Sequence, residues 1–392
     1  MTADPILGES LDRVRSTRSS VKWRRYDPDV LPMWVAEMDA RPCPVVVDAV
    51  TAAVARGDTG YGWAPPYAEA MAGFARRRWD WEIDPSTTFT VVDVMVGVAE
   101  LLRLATEPGG PVVVSTPCYN AFFGFLDHLG RTPVAAPLTT AGRLDLDELD
   151  RAFSAVAGSR AAYLLCNPHN PTGTVPTREE LTVVAELARR HQVTVISDEI
   201  HAPLVHPGGV FTPYLTVPGS ETAVTVLSAS KAWNVAALKC ALVAPGEAAR
   251  PLVSGLHEVL THAVSHLGLI GQAAALTEGE PWLDQLVGEL ASNAVTLRSL
   301  LAEALPEVSF AAPEATFFAW LDCRRLGEDP AGVFLERGRV ALTPGEEYAG
   351  DPGFARLNFA TSPRVLAEGV RRMAAAVAGG GPGDLDPVTM KG

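Results

Sequence analysis

Two lysines stand close together in a chain that otherwise uses arginine. The 32 basic residues of the 392-residue sequence include only four lysines, and Lys231 and Lys239 both lie in the segment LSASKAWNVAALKCALV at 227–243. Apolar and small residues surround Lys231, so we expect its side chain to be buried. Burial lowers the pKa of an ammonium group, and a neutral amine can act as a nucleophile or base, which a guanidinium cannot do.

Other polar groups follow apolar runs that have the composition of strands. Asp198 ends the run VTVISD, and a buried carboxylate is costly unless a cation or a strong donor pairs with it. Asn167 and Asn170 belong to the turn CNPHNPTG, and Ser228 and Ser230 precede the first of the two lysines. Each feature is weak alone, because a lone Asp is often a cap or an ion-pair partner and Pro, Asn and Gly form turns in any protein.

Together these groups match the requirements of one cofactor. A lysine amine can form a Schiff base, a buried aspartate can pair with a protonated pyridine nitrogen, and hydroxyls, a second lysine and a helix start can bind a phosphate. The helix start is the small-residue turn VGVAELL at 96–102. The set predicts pyridoxal phosphate, with Lys231 as the reactive amine, Asp198 at the ring and Lys239 near the phosphate.

The elements that would hold these groups alternate along the chain. Five apolar, β-branched runs are predicted as strands: 89–96, 111–117, 160–167, 193–199 and 222–230. A helix follows each run, and one of them has a capping box, Thr177 with Glu180, before apolar residues at helical spacing. This alternation predicts an α/β fold with a mostly parallel central sheet flanked by helices, whose ligands bind beyond the carboxyl ends of the strands.

The pattern changes from about residue 282. A long helix, short strands around VSFAAP, TFFAWLD and RLNFA, and a last helix predict a smaller α+β domain. We expect an N-terminal arm that contributes to the small domain and the active site, a large cofactor-binding domain, the small domain and a flexible tail, at residues 1–45, 46–280, 281–378 and 379–392.

The composition excludes several classes of protein. A net charge of −14 without any basic block argues against nucleic acid or an anionic membrane as the partner. No apolar run is long enough to span a bilayer, and the polar start is unlike a signal peptide. Five scattered cysteines without a CxxC pair predict buried thiols in a reducing compartment. We expect a soluble, cytoplasmic enzyme with a small-molecule substrate.

Four motifs occur in a characteristic order: HNPTG, SDEIH, SxSK with a basic residue eight positions on, and RLNFA. In this combination the sequence resembles the fold-type I pyridoxal phosphate enzymes of the class I/II aminotransferase superfamily, from about residue 15 to 376. Within it, VKW, LPMWVAEMD, TGYGW, WNVAALK and the His201 of DEIH most resemble the MalY/PatB group, the cystathionine β-lyase-like C–S lyases.

The resemblance implies roles for the side chains around the cofactor ring. Lys231 would form the Schiff base and later move the Cα proton, and Asp198 would keep the pyridine nitrogen protonated. Asn170 and His201 would hydrogen-bond the ring oxygen O3′, and Tyr119 would lie against the ring face.

The resemblance also implies a phosphate site. The backbone of Val98 and Ala99 would bind the phosphate together with Ser228, Ser230 and Lys239.

The resemblance further implies a substrate site that two subunits share. Arg356 of RLNFA would bind the substrate α-carboxylate with two hydrogen bonds, beside Asn170. Tyr61 would reach the phosphate of a neighbouring subunit, since the group is expected to form a homodimer with shared active sites.

The sequence departs from the lyase group near the expected position of the substrate side chain. AEMDA at 36–40 stands where the group usually has ADMDF, and Ala237 stands where it has Gly. Ala-Pro at 202–203 replaces the usual Ser-Asp, and Ala-Thr-Phe at 315–317 replaces Gly-Thr-Tyr. These changes leave the identity of the substrate open.

The predicted function is α,β-elimination of an S-substituted, cystathionine-like cysteine to a thiol, pyruvate and ammonia. Two alternatives stay open: an aminotransferase or a specialised cysteine-conjugate enzyme that couples decarboxylation to deamination in secondary metabolism, and a regulatory protein that keeps the cofactor for structure. We expect no metal site, because His262 and His266 are four residues apart but no third ligand is evident.

Overall fold

The computed structural model describes residues 4–379 of the chain. The predicted flexible tail at 379–392, apart from its first residue, lies outside the described residues, and so does Lys391. Of the helices described, none combines the length and the apolarity that crossing a bilayer requires.

Helices and strands alternate through most of the chain. The α-helices are α1 (Leu11–Thr17), α2 (Val21–Arg24), α3 (Pro44–Ala55), α4 (Pro65–Trp79), α5 (Val94–Ala105), α6 (Ala121–His128), α7 (Leu146–Ala155), α8 (Arg178–His191), α9 (Arg250–Val253), α10 (Val259–His262), α11 (His266–Glu278), α12 (Glu280–Ala304), α13 (Pro330–Glu336) and α14 (Pro363–Val377). The strands are β1 (Leu31–Pro32), β2 (Phe89–Val91), β3 (Pro111–Thr116), β4 (Thr132–Pro137), β5 (Ala162–Cys166), β6 (Thr194–Asp198), β7 (Val224–Leu227), β8 (Ala241–Pro245), β9 (Phe318–Asp322), β10 (Val340–Ala341), β11 (Thr343–Pro344) and β12 (Phe354–Asn358). Short 3₁₀ helices lie at Pro85–Thr87, Ala202–Leu204, Tyr214–Thr216, Glu247–Ala249, Arg324–Leu326 and Gly345–Tyr348.

The central sheet has seven strands in the order β2-β8-β7-β6-β5-β3-β4. β8 runs antiparallel to both of its neighbours, and every other pair is parallel. The predicted α/β fold with a mostly parallel sheet is therefore confirmed. Two strands were not predicted from the sequence. β4 is an edge strand with two prolines, and β8 begins two residues after Lys239.

The strand predicted over 89–96 is wrong after Val91. Asp93 caps α5, since its Oδ1 accepts a hydrogen bond from the N–H of Val96 at 2.8 Å. The apolar residues that follow are the first turn of a helix that packs on the sheet. A short apolar run of this kind cannot be assigned to a strand or a buried helix from its periodicity alone.

Helices cover both faces of the sheet. Val112 and Val114 of β3 pack in a cluster with α5 and α6, whereas Val113 points to the opposite face and packs with α7 and α8. All residues of β5 and β7 are buried, as expected for strands between two helical layers.

The C-terminal part forms a smaller unit around a second sheet. β11, β12 and β9 form an antiparallel sheet in that order, and β1 of the N-terminal arm pairs with β10. The segment VSFAAP, predicted as a strand, contributes only an isolated bridge between Ser309 and Asp322. The exact bounds of the domains stay a prediction.

The capping box of α8 is confirmed. The N–H of Glu180 donates to Thr177 Oγ1 at 3.2 Å, and the N–H of Thr177 donates to Glu180 Oε2 at 2.7 Å. These two bonds satisfy backbone donors that the start of a helix otherwise leaves free.

Replacing Thr177 by Ala should lower the free energy of unfolding by about 1 kcal/mol, because the N-cap acceptor is lost. Urea unfolding at a fixed concentration of cofactor measures the change, since a bound ligand shifts apparent stability. Thr182→Ala, at a half-buried position on the same helix whose hydroxyl bonds only the Arg178 carbonyl of its own turn, is the matched control and should cost less than about 0.5 kcal/mol. Equal losses for the two variants would contradict the capping role.

Candidate active site

The carboxyl ends of four neighbouring strands meet at one edge of the sheet. β7, β6, β5 and β3 are adjacent and parallel, and the register places Asp198 beside the last residue of β5. The loops after these strands carry Tyr119, Asn170 and Lys231. The sheet order thus brings together groups that are far apart in the sequence.

A cavity of about 130 Å³ lies at this edge. One water needs only about 10–15 Å³, so the cavity has room for a small organic ligand. Its lining includes seven of the residues predicted from the sequence: Tyr119, Asn170, Asp198, His201, Ser230, Lys231 and Lys239.

Lys231 directs its amine at the backbone of the N-terminal arm. Its Nζ donates to the carbonyl oxygen of Ala36 at 3.1 Å. Burial is the main cause that lowers the pKa of Lys231 to about 8. The charges of Arg356 and Lys239 act in the same direction, and the charge of Asp198 opposes them. The neutral amine is therefore well populated near pH 8, as a nucleophile or a general base requires.

Asp198 ends β6 and is buried, at 4% exposure. Its Oδ1 accepts a hydrogen bond from the N–H of Ile200 at 3.1 Å. Burial raises the pKa of Asp198 to about 6, while the Ile200 N–H and the charge of Lys231 act to lower it. The carboxyl group is ionised at neutral pH at a cost in desolvation, which a cationic N–H donor in the cavity would reduce.

Glu199 is a second carboxyl group at the same strand end, and no role was predicted for it. Its Oε1 accepts hydrogen bonds from Ser197 Oγ, Asn167 Nδ2 and the N–H of Tyr214. Burial raises the pKa of Glu199 to about 8. Neighbouring residues of a strand point to opposite faces, so Asp198 lines the cavity while Glu199 ties two strand ends to the loop before Tyr214.

Asn170 and His201 lie on the same side of the cavity. Asn170 Oδ1 accepts a hydrogen bond from Arg356 Nη1 at 3.1 Å. The His201 ring packs edge-on against Phe317 and Phe318, and its Nδ1 is buried without a partner in residues 4–379. Burial lowers the pKa of His201 to about 3, so the imidazole is neutral at physiological pH.

Arg356 lies behind Asn170 and is 4% exposed. Its Nη2 donates to the carbonyl oxygen of Trp34 at 2.8 Å, and its guanidinium lies 4.0 Å from the ring centre of Phe318. Its Nε is buried without a partner, and no carboxylate within residues 4–379 forms an ion pair with it. A buried cation without a counter-ion is costly, so this position fits a ligand carboxylate.

The prediction that Val98 and Ala99 supply the phosphate amides is wrong. Both residues are buried in the second turn of α5, where the N–H groups belong to the hydrogen bonds of the helix itself. The first turn, at Val94 and Met95, lines the cavity and has N–H groups without helical acceptors. The prediction failed because the helix begins just after Asp93, before the predicted turn.

The two serines before Lys231 differ in orientation. Ser228 Oγ donates to the carbonyl oxygen of Cys240 at 2.9 Å and does not line the cavity. Its role as a phosphate ligand stays a prediction. Ser230 does line the cavity. Lys239 also lines it, and its Nζ forms an ion pair with Asp93 Oδ2 at 2.7 Å.

Tyr61 does not line the cavity of its own chain. Its side chain is 94% exposed, and Trp63 two residues later is 69% exposed. Where the Tyr61 ring binds stays a prediction.

Three of the departures from the lyase pattern line a separate groove beside the cavity. Glu37, Ala40 and Ala237 lie along this groove, which shares Ala236 with the lining of the cavity. These three side chains lie next to the cavity without lining it. Whether the changes face the substrate side chain stays a prediction.

Known proteins match nearly the whole chain. The family model described as Aminotransferase class I and II matches residues 29–373. A protein of Mycobacterium tuberculosis that carries the provisional name cystathionine beta-lyase is 46% identical, with 95% of this chain and 98% of that protein covered. Cystathionine beta-lyase PatB of Bacillus subtilis is 33% identical, with 91% of this chain and 96% of PatB covered.

A solved structure from Corynebacterium diphtheriae, provisionally described as a PLP-dependent beta-cystathionase, superposes with a TM-score of 0.89 at 35% identity. The superposition covers 95% of this chain and 99% of the C. diphtheriae chain. The chain belongs to the class I and II aminotransferase family. The matches confirm the predicted fold type, the resemblance to the PatB group of C–S lyases, and pyridoxal phosphate as the cofactor.

The residues of the cavity fit pyridoxal phosphate. The unpaired Nδ1 of His201 and the poorly compensated carboxylate of Asp198 are groups that a substituted pyridine ring can satisfy. Lys231 would supply the amine, and Asp198 would pair with the ring nitrogen. Asn170 and His201 would lie at the ring oxygen. The phosphate would bind to Ser230, Lys239 and the first turn of α5. The Lys239 amine would then interact with both the phosphate and the Asp93 carboxylate.

Covalent binding of pyridoxal phosphate to the apoprotein should become faster as pH rises, with its midpoint near pH 8. The neutral amine of Lys231 is the reacting form, and its pKa is lowered to about 8. Stopped-flow absorbance of the yellow product measures the rate, and Lys231→Ala should give no such product. A midpoint near about 10.4, the ordinary lysine value, would contradict the lowered pKa.

Proposed function

We propose that this enzyme catalyses α,β-elimination of an S-substituted, cystathionine-like cysteine. The Cα–H and Cβ–S bonds break, the sulfur leaves as a thiol, and the remaining three-carbon fragment takes up water to give pyruvate and ammonia. The observation that carries the proposal is the arrangement of one cavity, in which Lys231, Asp198 and Asn170 meet beside a buried arginine to which residues 4–379 supply no carboxylate partner.

The relatives support elimination as the outcome. Two proteins that match more than nine-tenths of this chain are named as cystathionine beta-lyases, and the C. diphtheriae structure is described as a beta-cystathionase. Fold alone would not distinguish elimination from transamination, because both begin with loss of the same proton. The names of the relatives therefore decide between chemistries that the cavity would support equally.

Lys231 is the base in this mechanism. Pyridoxal phosphate, when bound, withdraws electrons from the Cα of an attached amino acid and so makes the Cα proton acidic. The amine of Lys231 takes that proton, and the carbonyl oxygen of Ala36 holds the amine by a hydrogen bond of 3.1 Å. Asp198 contributes its negative charge at the ring nitrogen, where its pKa of about 6 keeps it ionised at neutral pH.

Arg356 and Asn170 orient the substrate. The guanidinium is held by the Trp34 carbonyl and by the amide of Asn170, so its free donors have a fixed direction. A bidentate bond to the α-carboxylate fits this position and fixes the rotation of the amino acid. The leaving thiolate needs little protonation, since the pKa of an ordinary thiol is about 8.5.

Lys231→Ala should abolish pyruvate release from cystathionine while the protein stays folded and binds the cofactor noncovalently. The reason is that a positioned base contributes about 10²–10⁴-fold to such a step. Pyruvate and free thiol are measured together in a coupled assay, with Lys239→Arg as the control that keeps a cation at the phosphate end.

Two outcomes would contradict the proposal. Full pyruvate release by Lys231→Ala would exclude Lys231 as the base. Conversion of the wild-type protein to its pyridoxamine form by an amino acid, with no thiol released, would show an aminotransferase instead.

We also propose that the enzyme works as a homodimer whose cavities are completed by the partner's Tyr61. Exposed apolar side chains support this proposal: Tyr61, Trp63 and, on α3, Val47 and Val54 are each more than two-fifths exposed. Large exposed apolar side chains that are close in the sequence are candidates for an association surface. A phenol that reaches the partner's phosphate would make each cavity depend on both chains.

Complementation between two inactive variants tests the shared site. Tyr61→Ala and Lys231→Ala chains, joined in one purified heterodimer, would form one cavity with both native residues and regain about half of the activity of the wild-type dimer. Each parental homodimer serves as its own control. A heterodimer no more active than its parents, or a monomeric wild-type protein in sedimentation, would contradict the shared site.

The enzyme is proposed to act in the cytoplasm. Cys43, Cys118, Cys166, Cys240 and Cys323 are all buried free thiols. Buried thiols that form no disulfide are typical of a reducing compartment.

A further inference from the structure

Residues 34–39, here called the strap, connect the N-terminal arm to the cavity. Ala36 of the strap lines the cavity. The carbonyl oxygen of Ala36 accepts from Lys231 at 3.1 Å, and that of Trp34 accepts from Arg356 at 2.8 Å. The strap thus contacts the proposed base and the proposed carboxylate-binding residue through two of its carbonyl groups.

Lys22 binds the strap from outside the cavity. It lies in the short helix α2, and its Nζ donates to the carbonyl oxygen of Glu37 at 3.0 Å and to Asp39 Oδ1 at 2.7 Å. The side chains of Lys22 and Asp39 are only 2% and 6% exposed. Among the described residues, this is the one ion pair that includes a residue of the strap.

Further hydrogen bonds show that the strap is held in one conformation. The N–H of Asp39 donates to the carbonyl oxygen of Ala360 at 2.8 Å, and the N–H of Met38 donates to Asn234 Oδ1 at 2.9 Å. Asn358 Nδ2 donates to the carbonyl oxygens of residues 35 and 37, at 2.7 and 2.8 Å. All of these bonds involve backbone atoms of the strap, and the buried ion pair adds one more contact at its C-terminal end.

Stability alone does not account for a buried Lys–Asp pair. The cost of removing both charges from water roughly offsets their attraction, and apolar side chains of similar size are often equally stable. A buried ion pair does, however, permit few alternative positions, because moving either partner leaves a charge unpaired. The pair is therefore better suited to fixing the strap in place than to stabilising the fold.

We propose that Lys22 is a positioning residue for the elimination reaction, an inference that rests on the proposed function. Its ion pair with Asp39 fixes the strap, and the strap in turn holds the Lys231 amine through Ala36 and the Arg356 guanidinium through Trp34. Lys22 itself does not line the cavity.

The double substitution Lys22→Met with Asp39→Leu tests this role. Both charges are removed together, so no unpaired charge is left to unfold the protein. The holoenzyme should bind cofactor at the wild-type ratio, while kcat/KM for cystathionine falls by about 10- to 100-fold, as expected for reacting groups displaced by a fraction of an ångström to an ångström. Hydrogen exchange of the amides at 37–39, measured by mass spectrometry on the same samples, should become at least about tenfold faster.

Leu181→Ala is the matched control, because Leu181 is fully buried in α8 and packs in a different hydrophobic cluster from the strap residue Met38. It should lower thermal stability while leaving kcat/KM and the exchange of the strap amides unchanged. Unchanged exchange at 37–39 in the double variant, or equal kcat/KM in the double variant and the control, would overturn the positioning role. Absence of pyruvate with the wild-type enzyme would instead overturn the proposed function, while the exchange rates would still report whether Lys22 holds the strap.

Discussion

Positive charge concentrated at one edge of the central sheet is the constraint on which the site depends. Lys231, Lys239 and Arg356 lie close enough for the charges of the other two to lower the pKa of Lys231. Asp198 supplies an opposing negative charge at the cavity wall, and its own pKa is raised by burial. The phosphate of the cofactor and the carboxylate of the substrate would bring the missing negative charges, in a protein whose net charge is −14 and which would otherwise repel anions.

The strap supplies hydrogen-bond acceptors to two of these positive charges. Buried cations need acceptors, but a carboxylate beside Lys231 would raise its pKa and keep the amine protonated. Backbone carbonyls provide partial negative charge without a full counter-ion, and Ala36 and Trp34 provide one each to Lys231 and Arg356. Among the described residues, the one ion pair of the strap, between Lys22 and Asp39, lies outside the cavity. The charge of Glu37 acts to raise the pKa of Lys231, but the larger effect of burial lowers it.

The sequence predicted the parts of the site that follow from strand ends. Asp198 and Lys231 end apolar runs, and parallel strands place such ends at one edge. Orientation within a turn or a strand end could not be predicted, so the hydrogen bond of Ser228 Oγ to the Cys240 carbonyl was not foreseen and Glu199 received no role. The start of α5 was misplaced because its first turn is as apolar as a strand. Arg356 was recognisable only through RLNFA, since arginine is common in this chain.

The role of Lys22 could not be predicted from the sequence, for a different reason. Its partner Asp39 is 17 residues away, across an irregular segment that has no periodicity to read. The use of lysine rather than arginine at positions 22 and 231 has a physical explanation. Lys231 must lose a proton, and Lys22 must place a compact charge between a carbonyl and a carboxylate at 3.0 and 2.7 Å. A planar guanidinium suits neither task. At position 356, by contrast, a guanidinium is needed, because it can bind a carboxylate with two parallel bonds.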